Sequence, residues 1–257
     1  MQVLFEGVWM GLLPESVSDL ISEQSYGQGV AYTGAAYLDS GLQFWENLIL
    51  DRHFGASGRV LVAAAGGGRE IIALTRKGFA ADGFECSRAM VTAGRKALTE
   101  RMIQARLDWA PPCRIPEIQD TYDALIIGWN GYTYISPRER RIRFMKALGA
   151  HLRPGSPVLV SAAIGSARSG LAIWTPRVAN AVRVCTFRRP VFDRGATFPG
   201  RPRHEFTRRQ LENELAEAGF SATAFYRWGD FGAVVCLKAD PGATALRSQE
   251  NRAAQTV

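Results

Sequence analysis

Arg59-Val-Leu-Val-Ala-Ala-Ala-Gly-Gly-Gly-Arg-Glu70 decides the fold of this 257-residue chain. Its apolar first half, residues 59–64, reads as a buried strand. The glycine run breaks that strand, and residues 69–77 open a helix. Fifteen residues past Glu70, Gly83-Phe84-Glu85-Cys86-Ser87 ends a second strand, 80–85, on a carboxylate. A strand, a glycine turn, a helix and an acid at the next strand end make half of a nucleotide site. The turn lets a ligand approach bare backbone, and the acid can accept hydrogen bonds from the two hydroxyls of a ribose.

The glycine spacing selects among nucleotides. With Gly66 and Gly68 as the first two glycines of G-x-G-x-x-G, the third position is Ile71, which argues against NAD or FAD. No G-x-x-x-x-G-K-[ST] run exists, which removes a P-loop. Downstream, Tyr122-Asp-Ala-Leu-Ile-Ile-Gly-Trp-Asn130 reads as a strand over 122–128 and a loop. Residues 138–152 read as a helix and 157–163 as a fifth strand. Phe206-Thr-Arg-Arg-Gln-Leu-Glu-Asn-Glu-Leu-Ala-Glu-Ala-Gly-Phe220 reads as a last helix, capped by Thr207 with Gln210 in the capping-box position. Residues 220–228 and 231–237 read as antiparallel strands joined by Gly229-Asp230. Strand three is the weak element: Leu107 to Ile118 contains three prolines, which confine any strand there to an edge.

In this order the pieces resemble class I S-adenosylmethionine-dependent methyltransferases. The family's first strand typically ends acid-x-G-x-G-x-G; here those positions are Val62, Ala64, Gly66 and Gly68, so the acid is missing and the first glycine is alanine. Tyr122-Asp123 resembles the aromatic–Asp start of the family's fourth strand. Leu152-Arg-Pro-Gly-Ser-Pro resembles its L-x-P-G-G signature before strand five, and Ala218-Gly-Phe220 resembles the end of its last helix. The resemblance spans residues 59–238. It implies an α/β, Rossmann-like, seven-stranded, mostly parallel sheet with an antiparallel last strand. It also implies a helical cap or lid over 1–56, a methyltransferase domain over 57–238 and an insertion over 164–203 between strand five and the last helix. The tail, 239–257, is small and polar and is expected to be disordered.

Ligands of open parallel sheets sit beyond the carboxyl ends of the strands, where strand order reverses. The resemblance places S-adenosylmethionine there. Ala64, Gly66 and Gly68 would supply backbone, Glu85 would hold the ribose, and Cys86 would border the adenine. Asp108 would accept from its amino group, and Gly128 and Trp129 would approach the sulfonium. Tyr132 and Tyr134 would wall the acceptor side with Tyr32, which lies in a glycine-broken segment where Tyr26, Gly27 and Gly29 suit a lid. Aromatic faces favour a nearby sulfonium cation. Methyl transfer needs alignment above all, and an acceptor hydroxyl or amine can need a base. Of His53, His151 and His204, the last follows the insertion and leads as base, with Glu205 second. In the N-terminal segment, Asp39 or Ser40 is the expected cap of a helix bearing Leu42, Trp45, Leu48 and Ile49.

Charge and cysteine usage bound the partners. The chain carries a formal +7. Nine arginines lie between Arg177 and Arg209, against Asp193 and Glu205 alone. Arginine grips phosphate and carboxylate through its planar fork. Pro190, Phe192, Phe198, Pro199 and Pro202 in the same segment suggest a folded wall over the acceptor. Cys86, Cys113, Cys185 and Cys236 show no C-x-x-C spacing, so a structural metal and a disulfide framework are not expected. No run is long and apolar enough for a bilayer, and Met1 to Pro14 lacks a basic start, so a cytoplasmic protein without a membrane role is expected. The expected function is methyl transfer to a small or medium-sized acceptor. A phosphorylated metabolite or an acidic carrier protein would suit the arginines. The rivals are a methyltransferase directed at RNA or another nucleic acid, and a cofactor-binding partner that has lost catalysis. No N-P-P-Y-type tetrapeptide follows strand four; Gly128-Trp-Asn-Gly131 stands there.

Overall fold

The computed structural model describes residues 1–27, 32–165 and 170–240. Residues 28–31 of the expected lid segment, 166–169 of the insertion and 241–257 of the tail lie outside the described residues, as does the side chain of Tyr26. In chain order the helices before the sheet are α1 (Gln2–Leu12), α2 (Glu15–Gly27), α3 (Ala35–Leu38) and α4 (Phe44–His53). The core follows as β1 (Arg59–Ala63), α5 (Arg69–Arg76), β2 (Ala80–Glu85), α6 (Arg88–Glu100), β3 (Leu107–Trp109) and β4 (Ala124–Ile127). After a single 3₁₀ turn at Gly131–Tyr134 come α7 (Arg138–Gly149), β5 (Pro157–Ala163) and α8 (Gly170–Cys185). The chain then forms β6 (Ala196–Thr197), β7 (Arg203–His204), α9 (Arg208–Glu217), β8 (Phe220–Trp228) and β9 (Phe231–Lys238).

Seven strands form one sheet in the order β3-β2-β1-β4-β5-β9-β8. β1 to β5 pair in parallel, and β9 runs antiparallel to both β5 and β8. The central strands are apolar on both faces because helices cover both. Leu61, Ala63, Leu125, Ile127, Val158 and Val160 share one core with Met145 and Leu148 of α7 and Leu211 and Leu215 of α9. Val60, Val62, Ile126 and Leu159 share the other with Ile49 of α4, Ile71 and Leu74 of α5 and Leu98 of α6. The two sets interleave along each strand, as the period of two requires. Strand order reverses between β1 and β4, which opens a crevice at their carboxyl ends.

The local chemistry explains the element ends. Thr207 Oγ1 accepts the Gln210 N–H at 3.2 Å while Gln210 Oε1 accepts the Thr207 N–H at 2.9 Å, closing the expected box on α9. The N-terminal cap of α4 is a correction: it lies at Gln43, whose N–H donates to Glu46 at 2.6 Å. Asp39 is instead the C-terminal cap position of α3 and accepts from Arg76 and Arg101, and the Ser40 hydroxyl donates back to the Tyr37 carbonyl at 2.7 Å. β4 starts at Ala124, because Tyr122 makes only an isolated bridge to Leu152, and α7 stops at Gly149. β3 is a three-residue edge strand that ends before the Pro111-Pro112 pair.

The insertion is built around α8. α1 lies on it through two glycines: a Cβ at Gly7 would stand 2.6 Å from Val178, and one at Gly11 2.6 Å from the Ala179 carbonyl. Among the described residues no helix is long and apolar enough to cross a membrane.

Candidate active site

The turn after β1 is shaped by three residues in the left-handed region: Ala64 (φ +54°), Gly66 (φ +55°) and Gly68 (φ +92°). The Ala64 conformation costs about 1–2 kcal/mol in a residue with a Cβ. It aims the Ala64 carbonyl at the end of β4, where a Cβ at Gly128 would come within 2.1 Å of that oxygen. Only glycine fits there, and the ends of β1 and β4 close together because of it. A Cβ at Gly67 would stand 2.6 Å from the Tyr32 carbonyl, so the backbone at Tyr32 crosses directly over the turn. At Gly66 a Cβ would meet nothing nearer than Met90 Sδ at 3.8 Å. Its bare face borders the crevice. This is the opening a ligand's approach to backbone requires.

Glu85 closes the next strand end and is buried. Its Oε2 accepts the Gly66 N–H at 3.0 Å; its Oε1 accepts the N–H groups of Cys86 at 2.7 Å and Ser87 at 3.0 Å. The three bonds fix the carboxylate between the glycine turn and the start of α6. Oε1 has both lone pairs engaged, while Oε2, with one, retains acceptor capacity for a ligand hydroxyl. Burial, with Glu85 alongside, pushes the Cys86 thiol far up, so it is a neutral, apolar wall. Burial likewise pushes the Cys113 thiol up to about 11. The Cys86 carbonyl accepts the Trp109 indole N–H at 2.9 Å, and the Arg88 guanidinium lies 3.4 Å from the centre of that indole.

Across the crevice, Asn130 holds a left-handed backbone (φ +57°) after β4. Its N–H donates to Ser161 Oγ of β5 at 2.9 Å, while its buried side-chain Oδ1 has no partner. An orphaned acceptor in a ligand crevice is poised for a donor on the ligand. Trp129 and Tyr134 flank it, and the Arg201 guanidinium lies 3.7 Å from the centre of the Tyr134 ring. Arg114 stands at the same rim, with no ion-pair partner among the described residues.

The floor near α5 is polar and buried. Arg69 donates to both oxygens of Glu46 at 2.8 Å, to Glu70 at 2.7 Å and to the Gly41 carbonyl at 2.6 Å. This guanidinium staples the start of α4 to the start of α5 beside the glycine turn. Burial raises the Glu70 carboxyl above its ordinary range, against the pull of Arg69. Glu70 and Tyr37 both border the crevice.

Of the residues singled out in the sequence, Ala64, Gly66, Glu85, Cys86, Trp129, Tyr32 and Tyr134 line this one crevice. Six others do not. Gly68 supplies the N-terminal cap position of α5, and Gly128 packs on Ala64. Asp108 is turned to Arg95, 3.0 Å away on α6, because the side chains of β3 alternate and this one faces outward. Tyr132 is fully buried, stacked on Phe206, with its hydroxyl donating to Glu214 at 3.2 Å. His204 is buried behind the wall, 4.3 Å from Phe206 between ring centres, with neither ring nitrogen hydrogen-bonded. Burial, then Arg141, holds its pKa well below the ordinary value. Glu205 lies against Gly165 and 3.7 Å from Arg203. The two base candidates therefore sit outside the crevice.

His204, Asp193 and Glu214 place ligand-type atoms within 4.8 Å of one another. Arg141 already donates to Glu214 twice at 2.8 Å and lies 3.4 Å from Asp193, supplying the positive charge those carboxylates need. The crevice also contains residues that no motif singled out, Ser22, Tyr37, Glu70, Arg114 and Asn130, and Arg201, one of the nine arginines expected over the acceptor side. Glu70 lies inside the quoted stretch and Asn130 inside the strand-four motif; Ser22, Tyr37 and Arg114 carry no motif signal.

Comparison with known proteins follows this geometry. No protein-family model matches the chain, and no curated protein matches it in sequence. Solved structures do match in shape. The 1,6-didemethyltoxoflavin-N1-methyltransferase of Burkholderia thailandensis, with bound 1,6-didemethyltoxoflavin and S-adenosylhomocysteine, superposes with a TM-score of 0.61 at 17% identity, covering 88% of this chain and 90% of that one. The CcbJ methyltransferase of Streptomyces caelestis gives 0.60 at 14% identity, covering 84% and 98%. The glycopeptide N-methyltransferase MtfA, complexed with S-adenosylhomocysteine, gives 0.55 at 20% identity, covering 75% and 87%. The chain has the fold of the class I S-adenosylmethionine-dependent methyltransferases.

Proposed function

We propose that this chain transfers a methyl group from S-adenosylmethionine to a small or medium-sized, anionic acceptor. The observation that carries it is the pairing of a bare Gly66 with a fixed, buried Glu85 at the switch point. The site fits the cofactor by the chemistry of its donors and acceptors. Glu85 would accept from the ribose hydroxyls. The backbone around Ala64 and Gly66 would receive the methionine part, with Asn130 Oδ1 accepting from its ammonium. Cys86 and Met90 would border the adenine as apolar neighbours. When bound, the cofactor supplies a methyl group on an already activated sulfonium.

The chain's own contribution is then alignment and exclusion of water. Trp129, Tyr134 and Tyr32 wall the crevice, and Arg201 and Arg114 at its rim suit an acceptor carrying carboxylate or phosphate. The placement of His204 and Glu205 favours an acceptor that needs no strong base, such as a ring nitrogen or an amine that is neutral at working pH. The three named neighbours are methyltransferases, one of them with 1,6-didemethyltoxoflavin and S-adenosylhomocysteine bound. The test is a transfer screen with methyl-labelled cofactor against small N-heterocycles, amino sugars and carboxylated aromatics, with short RNA as a separate arm. Label in a small anionic acceptor supports the proposal. Label in RNA alone, or in nothing while the cofactor binds, would sink it.

A further inference from the structure

Helix α1 is apolar around its whole circumference. One side is used: Glu6, Gly7, Met10 and Gly11 are buried against α8 and the strand β6 region. Its one charged residue, Glu6, is spent inward, accepting from Gln2 at 2.8 Å and from the Phe198 N–H at 3.0 Å. The opposite side carries Leu4, Phe5, Val8, Trp9 and Leu12, which fall within one stripe at helical spacing. These side chains are uncovered: Leu4 is 61%, Phe5 66% and Trp9 47% exposed. Phe5 and Trp9 meet edge to face at 6.2 Å, forming a preset aromatic pair. A helix that is hydrophobic all round belongs in an interior, and this one lies at a surface.

We infer that the outer face of α1 is where two copies of this chain pair. At roughly 100 Å² per uncovered side chain the stripe presents about 500 Å², at the upper end of what a monomer leaves open. Arg188 donates to the Leu12 carbonyl at 2.7 Å, which brings the exposed Phe187 and Val184 to the end of the stripe. With them, each copy offers roughly 700 Å² and the pair about 1,400 Å², within the range of a specific interface. The stripe carries no charge, so two copies meet there without repulsion although each chain is +7. An isologous pairing places Val8, the smallest side chain of the five, at the two-fold axis between the aromatic pairs.

Other occupants fit less well. α1 is about 16 Å long at 1.5 Å per residue, half a bilayer core. It has no Lys or Arg, which helices lying on membranes use at their polar flanks. Residues 241–257 offer only Leu246 and Val257 as large apolar side chains.

Sedimentation equilibrium of the full chain, with and without phosphatidylcholine or phosphatidylcholine–phosphatidylserine vesicles, tests the inference. At tens of micromolar the wild type should sediment at twice its 28.2 kDa mass. Phe5→Glu with Trp9→Glu should shift the dissociation constant at least ~100-fold, as removal of central aromatic anchors does, with far-UV circular dichroism unchanged. A 28.2 kDa species at all concentrations, a variant that stays fully dimeric, or a monomer that floats with vesicles would each overturn it. Should the double variant fail to fold, the single variant Val8→Glu, at the centre of the stripe, gives the same readout: a folded Val8→Glu chain that stays fully dimeric would overturn the inference. Methyl transfer is not needed for the readout, so this inference stands or falls apart from the proposed function.

Discussion

Glu85 accepts three backbone N–H groups and has acceptor capacity left on Oε2, which takes only one of them. Glu85→Ala removes a charged partner for ribose, and cofactor affinity should fall by about 1.5–3 kcal/mol. Calorimetry on the variant, with its melting temperature as a control for the three N–H groups left unpaired, checks this; unchanged affinity in a folded variant would place the ribose elsewhere. Gly66 has the bare face, and Gly66→Val should abolish cofactor binding while the sheet persists, because a branched side chain fills the opening at a left-handed position. Normal binding by that variant would show that the crevice was wrongly assigned. Both residues were legible in the sequence, since a glycine turn and a strand-end acid are local signals. Asn130 was not: its orphaned oxygen follows from a left-handed backbone and a bond to Ser161 on another strand. Arg201 was legible only as one of nine clustered arginines; which of them reaches the crevice depends on the loop geometry that lays it over Tyr134.

At the scale of elements, the strands and the helices around them followed from apolar runs and caps, and the boundaries moved where tertiary bonds competed. Gln43 and Glu46 form the α4 cap because Asp39 and Ser40 are used at the end of α3 and α4 starts only at Phe44. β7 gives the least predictable outcome. A histidine beside a basic loop looked accessible, yet β6–β7 pairing and Phe206 bury it. That burial makes a prediction. The folded-state pKa of His204 is depressed, so the unfolded chain binds its proton more readily. The stabilising effect is present above the unfolded value of about 6.5 and is lost as pH falls toward the folded one, at up to ~1.4 kcal/mol per pH unit. Denaturant unfolding of wild type and His204→Phe from neutral to mildly acid pH should show a slope in the wild type that the variant lacks. Parallel slopes would mean that His204 does not titrate on unfolding.

At the scale of the whole molecule, the arginines between Arg177 and Arg209 are mostly engaged within the fold. Arg188 caps α1, Arg183 donates to the Arg189 carbonyl at 2.7 Å, and Arg208 pairs with Glu212 at 2.7 Å. Arg201 reaches the crevice. Once an anionic acceptor is identified, Arg201→Gln should raise its KM about 10–100-fold, the loss of one charge-assisted bond, while Arg189→Gln leaves it nearly unchanged. A nucleic-acid surface would behave differently: each of several arginines would weaken binding, and the salt slope would drop by about one unit per residue removed. The mostly parallel seven-stranded sheet with its antiparallel last strand was legible through the resemblance to class I methyltransferases, whereas the order of its strands was not read from the sequence. Nor was the packing of α1 on α8, because it depends on two glycines meeting a distant helix. The most direct test of the account is isothermal titration calorimetry of the full chain with S-adenosylmethionine, S-adenosylhomocysteine and NADH. The account predicts one S-adenosyl ligand per chain with a dissociation constant on the order of 1–100 μM, within the usual range for enzyme substrates, and no comparable heat from NADH. Saturable NADH binding, or no heat from either S-adenosyl ligand in a folded sample, would contradict it.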